Sequence, residues 1–292
     1  MTTTKLLAAT ALALVLGEAE AGSGATPISP FPVEDSADFA KQIERELAGQ
    51  GARIALVFRT GRAREDLPDG IRYTHGAFWV YSEMQTETGE RIRGYSVHNL
   101  YHGEENRRRS HLAQDWPLNF TQGDVIGEVG IIVPSPEMQR RLLGLFASGD
   151  INTLHQPEYS LISNPHDLRF QNCNEFMLDV LAAAAWETTD RDTLKTNLSA
   201  WYEPARVQTS LLERMFGPSV DERVRLDDHR GPIRTATFAS MGDFMTEFNL
   251  ASAVYELEAD FLVETVDGGR VNRFHPIAIR GRKAHSILHL QG

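Results

Sequence analysis

Cysteine is nearly absent. Cys173 is the only one in 292 residues, so an intrachain disulfide is impossible and the fold has no disulfide framework to rely on. The N-terminal apolar run from Leu6 to Leu16 has 11 residues, too few for a retained membrane-crossing helix, which needs about 20. Basic residues are in deficit, 29 Lys and Arg against 40 Asp and Glu for a formal net charge of −11. That balance argues against a nucleic-acid partner. The chain has no HExxH zinc-protease string, no glycine-rich phosphate loop and no GxSxG nucleophile elbow, so no cofactor is called for. Asp227-Asp228-His229 lacks a second histidine at ligand spacing and reads as an acidic solvated loop, so no metal site is expected.

What is present begins with a leader. Lys5, the apolar run and Ala19-Glu20-Ala21-Gly22 have the pattern of a secretion signal over residues 1–21, with small residues at the cleavage point. No cysteine lies there to carry a lipid anchor. Loss of the leader takes one basic and two acidic residues and leaves a formal charge of −10. Residues 22–34, rich in Gly, Ser and Pro, read as a flexible link. An exported, periplasmic protein is expected, with its fold starting near Asp35. In an oxidising compartment structural cysteines usually come in pairs. An unpaired one is either buried and inert or reactive.

Hydrophobic periodicity predicts mixed α and β structure. Helices are expected over Ser36–Gly49 (Phe39, Ile43 and Leu47 on one face), Pro136–Ala147, Cys173–Trp186, Arg191–Trp201 and Met241–Asn249. Strands are expected over Arg53–Arg59, Asp124–Pro134, Ile233–Phe238, Ala253–Val263 and Val271–Ile279, the last two joined by Asp267-Gly268-Gly269. A hairpin joins His75–Tyr81 to Ile92–His102. With Thr88-Gly89 as a two-residue turn, His75 faces His102; a looser turn brings Asn99 nearer. The aromatic band Phe78, Trp79, Tyr81, Tyr95 and Tyr101 is read as cross-strand packing, with an acyl groove as the alternative. Asp115-Trp116-Pro117 is read as a turn, with the edge of a cleft as the alternative.

Cys173 falls where an irregular stretch gives way to a helix, with Asn172 as N-cap and Glu175 at the third helical position in a capping-box-like start. First-turn N–H groups and the helix dipole favour the thiolate, the nucleophilic form. Thiol acyl transfer also needs an imidazole to take and return a proton, a group to orient it, and an oxyanion site. His75 is the candidate base. His102 or Asn99 is the candidate orienting group, and the Cys173 N–H with a neighbouring amide is the candidate oxyanion donor.

The strings Tyr73-Thr-His-Gly-Ala-Phe-Trp-Val-Tyr-Ser82, Gly94-Tyr-Ser-Val-His-Asn-Leu-Tyr101 and Leu168-Arg-Phe-Gln-Asn-Cys-Asn-Glu-Phe-Met-Leu-Asp-Val180 resemble an exported bacterial family, domain of unknown function 2145, from about Asp35 to Ile279. Histidine before cysteine in the chain, with Asn-Cys-x-x-Phe opening an apolar helix, also resembles the circularly permuted NlpC-like branch of papain-like cysteine hydrolases and acyltransferases. The resemblance implies an α+β, papain-like core over residues 35–205, its antiparallel sheet packed against the helix that begins at the cysteine. It also implies Cys173 as nucleophile and His75 as its partner. Residues 206–280 would complete or cover that core, and 281–292 would form a tail. The expected activity is an exported thiol hydrolase of amidase or peptidase type acting on a peptide or acyl substrate in the cell envelope, cell-wall peptides included. The alternatives are a lipid acyltransferase or thioesterase with the same dyad, and a non-catalytic envelope binding module with a merely buried thiol. Nothing in the sequence specifies an oligomeric state.

Overall fold

Five successive apolar side chains and one arginine, Ile54–Arg59, form a strand buried along its whole length, the signature of a strand covered on both faces. In the computed structural model this strand, β1, lies inside a seven-stranded sheet. The structure describes residues 29–67, 69–86, 88–207 and 221–262, with the backbone of 275–276. The expected signal at 1–21, most of the link at 22–34, the turn at Asp267-Gly268-Gly269, most of the strand Val271–Ile279 and the tail at 281–292 lie outside the described residues.

In chain order the elements are α1 (Val33–Gly49), β1 (Ile54–Arg59), β2 (His75–Gln85), β3 (Arg91–His102), β4 (Ser110–Asp115), α2 (Pro117–Thr121), β5 (Glu128–Pro134), α3 (Pro136–Ser148), α4 (Cys173–Trp186), α5 (Arg191–Trp201), β6 (Ala205–Arg206), β7 (Arg234–Thr235), α6 (Phe238–Glu247), β8 (Ala251–Glu258) and β9 (His275–Pro276). The main sheet runs β4-β3-β2-β1-β5-β8-β9, with every pairing antiparallel. It is a mixed α+β protein. β6 and β7 make a separate two-stranded ribbon.

Alternation along the strands sorts side chains onto two faces. Leu56, Phe58, Phe78, Val80 and Leu100 pack with α3, α4 and α6. Val57, Ala77, Trp79, Tyr95, Val97 and Ile131 pack with Phe39, Ile43 and Leu47 of α1 and Phe120 of α2. The aromatic band is therefore divided: Phe78 meets Phe146 on the first face, while Trp79 and Tyr81 meet Tyr95.

α4 is unusual in having all 14 of its residues buried. Its polar side chains reach partners in the interior. Lys195 of α5 donates to Glu175 at 2.6 Å and to Asp179 at 2.7 Å, and Gln171 donates to Asp179 at 2.8 Å. No helix among the described residues is long and apolar enough to cross a membrane.

Several boundaries differ from the sequence expectation. α1 starts three residues before Ser36, from Pro32, with no side-chain cap. α6 opens at Phe238 rather than Met241, because Thr237 and Ser240 form a reciprocal capping box. β4 and α2 occupy the stretch read as a turn; Pro117 takes the first position of α2, where its missing N–H costs nothing.

Candidate active site

The β2–β3 connection decides which side chain meets His75. Gln85 pairs with Arg91 and Phe78 with His98, so the connection spans residues 86–90, closed by Thr86 N–H to the Glu90 carbonyl at 2.8 Å. A two-residue turn at Thr88-Gly89 is thus replaced by a longer one, and the register differs by one from the register that faces His75 with His102. One step exchanges the faces of a strand. Tyr101 comes to stack on the His75 ring, with centroids 5.3 Å apart, and Asn99 joins the same face.

His75 Nε2 lies 2.9 Å from Asn99 Oδ1. Asn99 Nδ2 donates to Asp115 Oδ2 at 3.0 Å, and the Tyr101 hydroxyl donates to the same oxygen at 2.6 Å. An ionised carboxylate can only accept, so Asp115 orients the Asn99 amide with its oxygen toward the imidazole. Nε2 must then carry the proton, which leaves Nδ1 with a lone pair. Nδ1 is buried and has no hydrogen-bond partner among the described residues. Burial is the largest cause holding the His75 pKa well below its ordinary value, with the Arg59 charge next. The imidazole is neutral at physiological pH.

Cys173 reaches the same strand end from the other side. Asn172 Oδ1 accepts from Glu175 N–H at 2.9 Å, and Asn172 Nδ2 donates to the Leu161 carbonyl at 3.0 Å, which fixes the helix start against the preceding loop. Only half of the expected capping box forms. The Glu175 carboxylate turns to Lys195, and the Asn172 N–H goes to Ser163 Oγ. Burial raises the Glu175 pKa to about 7 against the pull of Lys195. Cys173 Sγ is 4.0 Å from the Thr74 carbonyl oxygen, one peptide bond from His75, and 3.8 Å from Asn174 Oδ1. Sulfur and imidazole are not hydrogen-bonded to each other. Gly76 permits the approach: a Cβ there would lie 2.2 Å from Met177 Cε and 2.9 Å from Asn174 Oδ1.

The other histidine candidates face elsewhere. His102 donates from Nδ1 to the Gly103 carbonyl, accepts from Arg223 and packs against Tyr159; it makes no hydrogen bond to the His75 ring. His98 lies on the opposite face against Phe146, where burial lowers its pKa to about 4. Asp228 is buried rather than solvated: it accepts the Asn164 N–H, while His229 donates to the Ile162 carbonyl. No group of three metal-ligating side chains occurs among the described residues.

Arg59, Asp115 and Tyr101 were not anticipated as site residues. Arg59 is paired across the β1–β2 ladder with His75, and its guanidinium donates to the Gly123 carbonyl and lies over the Phe120 ring. An arginine ending an otherwise apolar strand was the available sequence signal. A cleft of about 190 Å³ is lined by His98, Asn99, Leu112, Ile151, Asn152 and Phe176; Asn99 is the member of the cluster that reaches it, and neither His75 nor Cys173 lines it. A larger hollow of about 650 Å³ lies at the far end of α4, near Arg141 and Glu187, away from these groups.

The model of a family described as an uncharacterized protein conserved in bacteria, DUF2145, matches residues 46–245. The chain belongs to that family. No curated protein and no solved structure matches it. The matched span holds Arg59, His75, Asn99, Asp115 and Cys173, so the whole cluster lies within the family's territory.

Proposed function

We propose that this protein is an exported cysteine hydrolase of amidase or peptidase type, built on a permuted NlpC-like variant of the papain-like fold. The observation that carries the reading is the Asp115–Asn99–His75 chain, which fixes the imidazole tautomer and leaves Nδ1 as a bare buried base, with the Cys173 thiol 4.0 Å from the carbonyl oxygen of the adjoining Thr74. Catalytic hydrogen bonds in resting enzymes are often long and tighten on substrate binding.

In the proposed cycle Cys173 Sγ attacks the substrate carbonyl as its proton passes to His75 Nδ1. The resulting imidazolium gives that proton to the leaving nitrogen, and water activated by the neutral ring then releases the acyl group. The Cys173 N–H at the helix start, with a neighbouring amide, stabilises the oxyanion. The signal-like pattern of residues 1–21 supports a substrate in the cell envelope, with cell-wall peptides the first choice.

The test offers muropeptides and, separately, lipid extracts to the wild type and to Cys173→Ala and His75→Gln, weighing intact protein for an acyl adduct. An adduct from peptide that needs both Cys173 and His75 supports the reading. An adduct from lipid alone points to acyl transfer instead. Turnover surviving in Cys173→Ala, or no adduct from any offered carbonyl compound in a folded wild type, removes it.

A further inference from the structure

One edge of the main sheet is only half covered. β4 is the last strand on that side. Residues of an antiparallel strand alternate in pointing their N–H and C=O groups toward one neighbour and then the other. The bond from Gly103 N–H to the Arg109 carbonyl, 2.7 Å, sets the phase: odd-numbered residues along β4 turn to β3 and even-numbered ones face outward. The chain itself meets the first part of this edge. Ser110 N–H donates to the Pro157 carbonyl at 2.8 Å, Tyr159 N–H donates to the Arg108 carbonyl at 2.7 Å, and Arg109 bridges Glu158 in antiparallel sense. On the N-terminal side of Pro157 the backbone leaves the edge for the 3₁₀ turn Asp150–Leu154. The outward N–H and C=O groups of Leu112 and Gln114 consequently have no backbone partner among the described residues.

Exposed edges are ordinarily guarded by lysine, proline or a bulge, since an open row of backbone groups is a template for another chain. Ser110-His-Leu-Ala-Gln114 has none of these. The strand's one carboxylate, Asp115, is turned to Asn99 and Tyr101. The open edge borders the cleft of about 190 Å³, which Leu112 and Gln114 line together with Ile151 and Asn152 of the 3₁₀ turn and Phe176 of α4. Its lining is uncharged at neutral pH, because burial lowers the pKa of His98, the one titratable member, to about 4.

We infer that the Leu112–Gln114 edge of β4 is a docking surface for an extended peptide, which adds to the sheet as a further strand and sets an uncharged side chain in the cleft. Two N–H groups and two carbonyls two residues apart are complemented by another backbone in the same extended form. A second copy of this chain is a poorer occupant, because edge-to-edge pairing brings its own Asp150–Leu154 turn against the first. The surface lies two strands from His75, so it goes beyond the thiol chemistry and stands whether or not Cys173 reacts.

Amide hydrogen exchange, read residue by residue by nuclear magnetic resonance on the whole protein, tests it. In the free protein the Ala113 N–H is protected by β3, while those of Leu112 and Gln114 exchange fast. Blocked peptides acetyl-Thr-Val-X-Val-Thr-amide, with X as Ala, Asn, Leu, Lys or Glu, are then offered. Those with Ala, Asn or Leu protect Leu112 and Gln114, and those with Lys or Glu bind severalfold more weakly. Gln114→Pro removes only an outward N–H and leaves the pairing with β3 in place. It weakens binding by about 2–10-fold, whereas Gln114→Ala keeps the N–H and the affinity. Slow exchange at Leu112 and Gln114 in dilute free protein, no protection by any of the peptides, or undiminished binding to a folded Gln114→Pro overturns the inference. Equal binding of the Lys and Glu peptides overturns the uncharged cleft. Protection that grows with protein concentration alone makes a second copy the occupant and overturns the peptide. If Gln114→Pro fails to fold, the wild-type exchange pattern with and without peptide decides.

Discussion

Truncation of Asn99 to alanine isolates the contribution of the His75 support. The side chain is 1% exposed and bridges His75 Nε2 at 2.9 Å and Asp115 Oδ2 at 3.0 Å. The bond to imidazole is a neutral one, worth about 1 kcal/mol net, and the bond to the carboxylate is charge-assisted, worth about 1.5–3 kcal/mol. Tyr101 still donates to Asp115 after the truncation, so the expected loss of stability is about 2–3 kcal/mol, read from the midpoint of urea unfolding at constant slope. The chemical consequence is larger. Without the Asn99 oxygen nothing obliges Nε2 to hold the proton, the ring populates both tautomers, and kcat/KM for peptide hydrolysis falls by roughly 10²–10⁴-fold. Nitrogen chemical shifts of the His75 ring report the tautomer directly, without a substrate. A wild-type ring with its proton on Nδ1, or a ring whose tautomer is unchanged in Asn99→Ala, refutes the assignment of Nδ1 as the base.

Two further outcomes are expected. Gly76→Ala puts a methyl group against Met177, Asn174 and Phe58; overpacking costs about 1–3 kcal/mol, and since the Met177 tip can swing aside, the thermal midpoint falls modestly while hydrolysis drops disproportionately. Unchanged hydrolysis in that variant shows that the α4 start tolerates displacement. Lys195→Met strands Glu175 in a buried setting, while Asp179 keeps Arg191 and Gln171, and costs about 3–5 kcal/mol near neutral pH. Acidification toward the unfolded carboxylate range recovers part of that loss in chemical denaturation, because the folded state then takes up a proton on the stranded carboxyl group.

Legibility in the sequence varied with the kind of signal. α4 begins at Cys173 and ends at Trp186 as expected, because an Asn cap followed by an unbroken apolar run has few alternative readings. α3 and α5 also begin where their periodicity predicted, and the structure shows each opened by a side-chain cap, Ser135 and Asp190. The hairpin was harder, since a polar connection such as Thr86–Glu90 admits two registers and only backbone geometry chooses between them. That choice moves Asn99, rather than His102, into hydrogen-bond reach of His75. β4, Ser110–Asp115, lacks alternating apolar residues; its identity as a strand is imposed by pairing with β3, and with it the position of Asp115. Arg59 was obscured for a related reason. A charged residue closing an apolar strand ordinarily marks the return to solvent, and only the tertiary packing of Gly123 and Phe120 turns it inward.

The complete enclosure of α4 has a kinetic consequence. A helix with no solvent-facing residue gains little from forming alone, and its seat on β2 joins positions about a hundred residues apart, as Cys173 beside Thr74 shows. Contacts of such sequence separation are closed late and slow the folding of the chain. The sheet, the preceding loop and Lys195 of α5 must all converge before the thiol has its surroundings. Reactivity at Cys173 is therefore a readout of finished folding, and after synthesis it should rise with the final cooperative phase rather than with the first appearance of secondary structure.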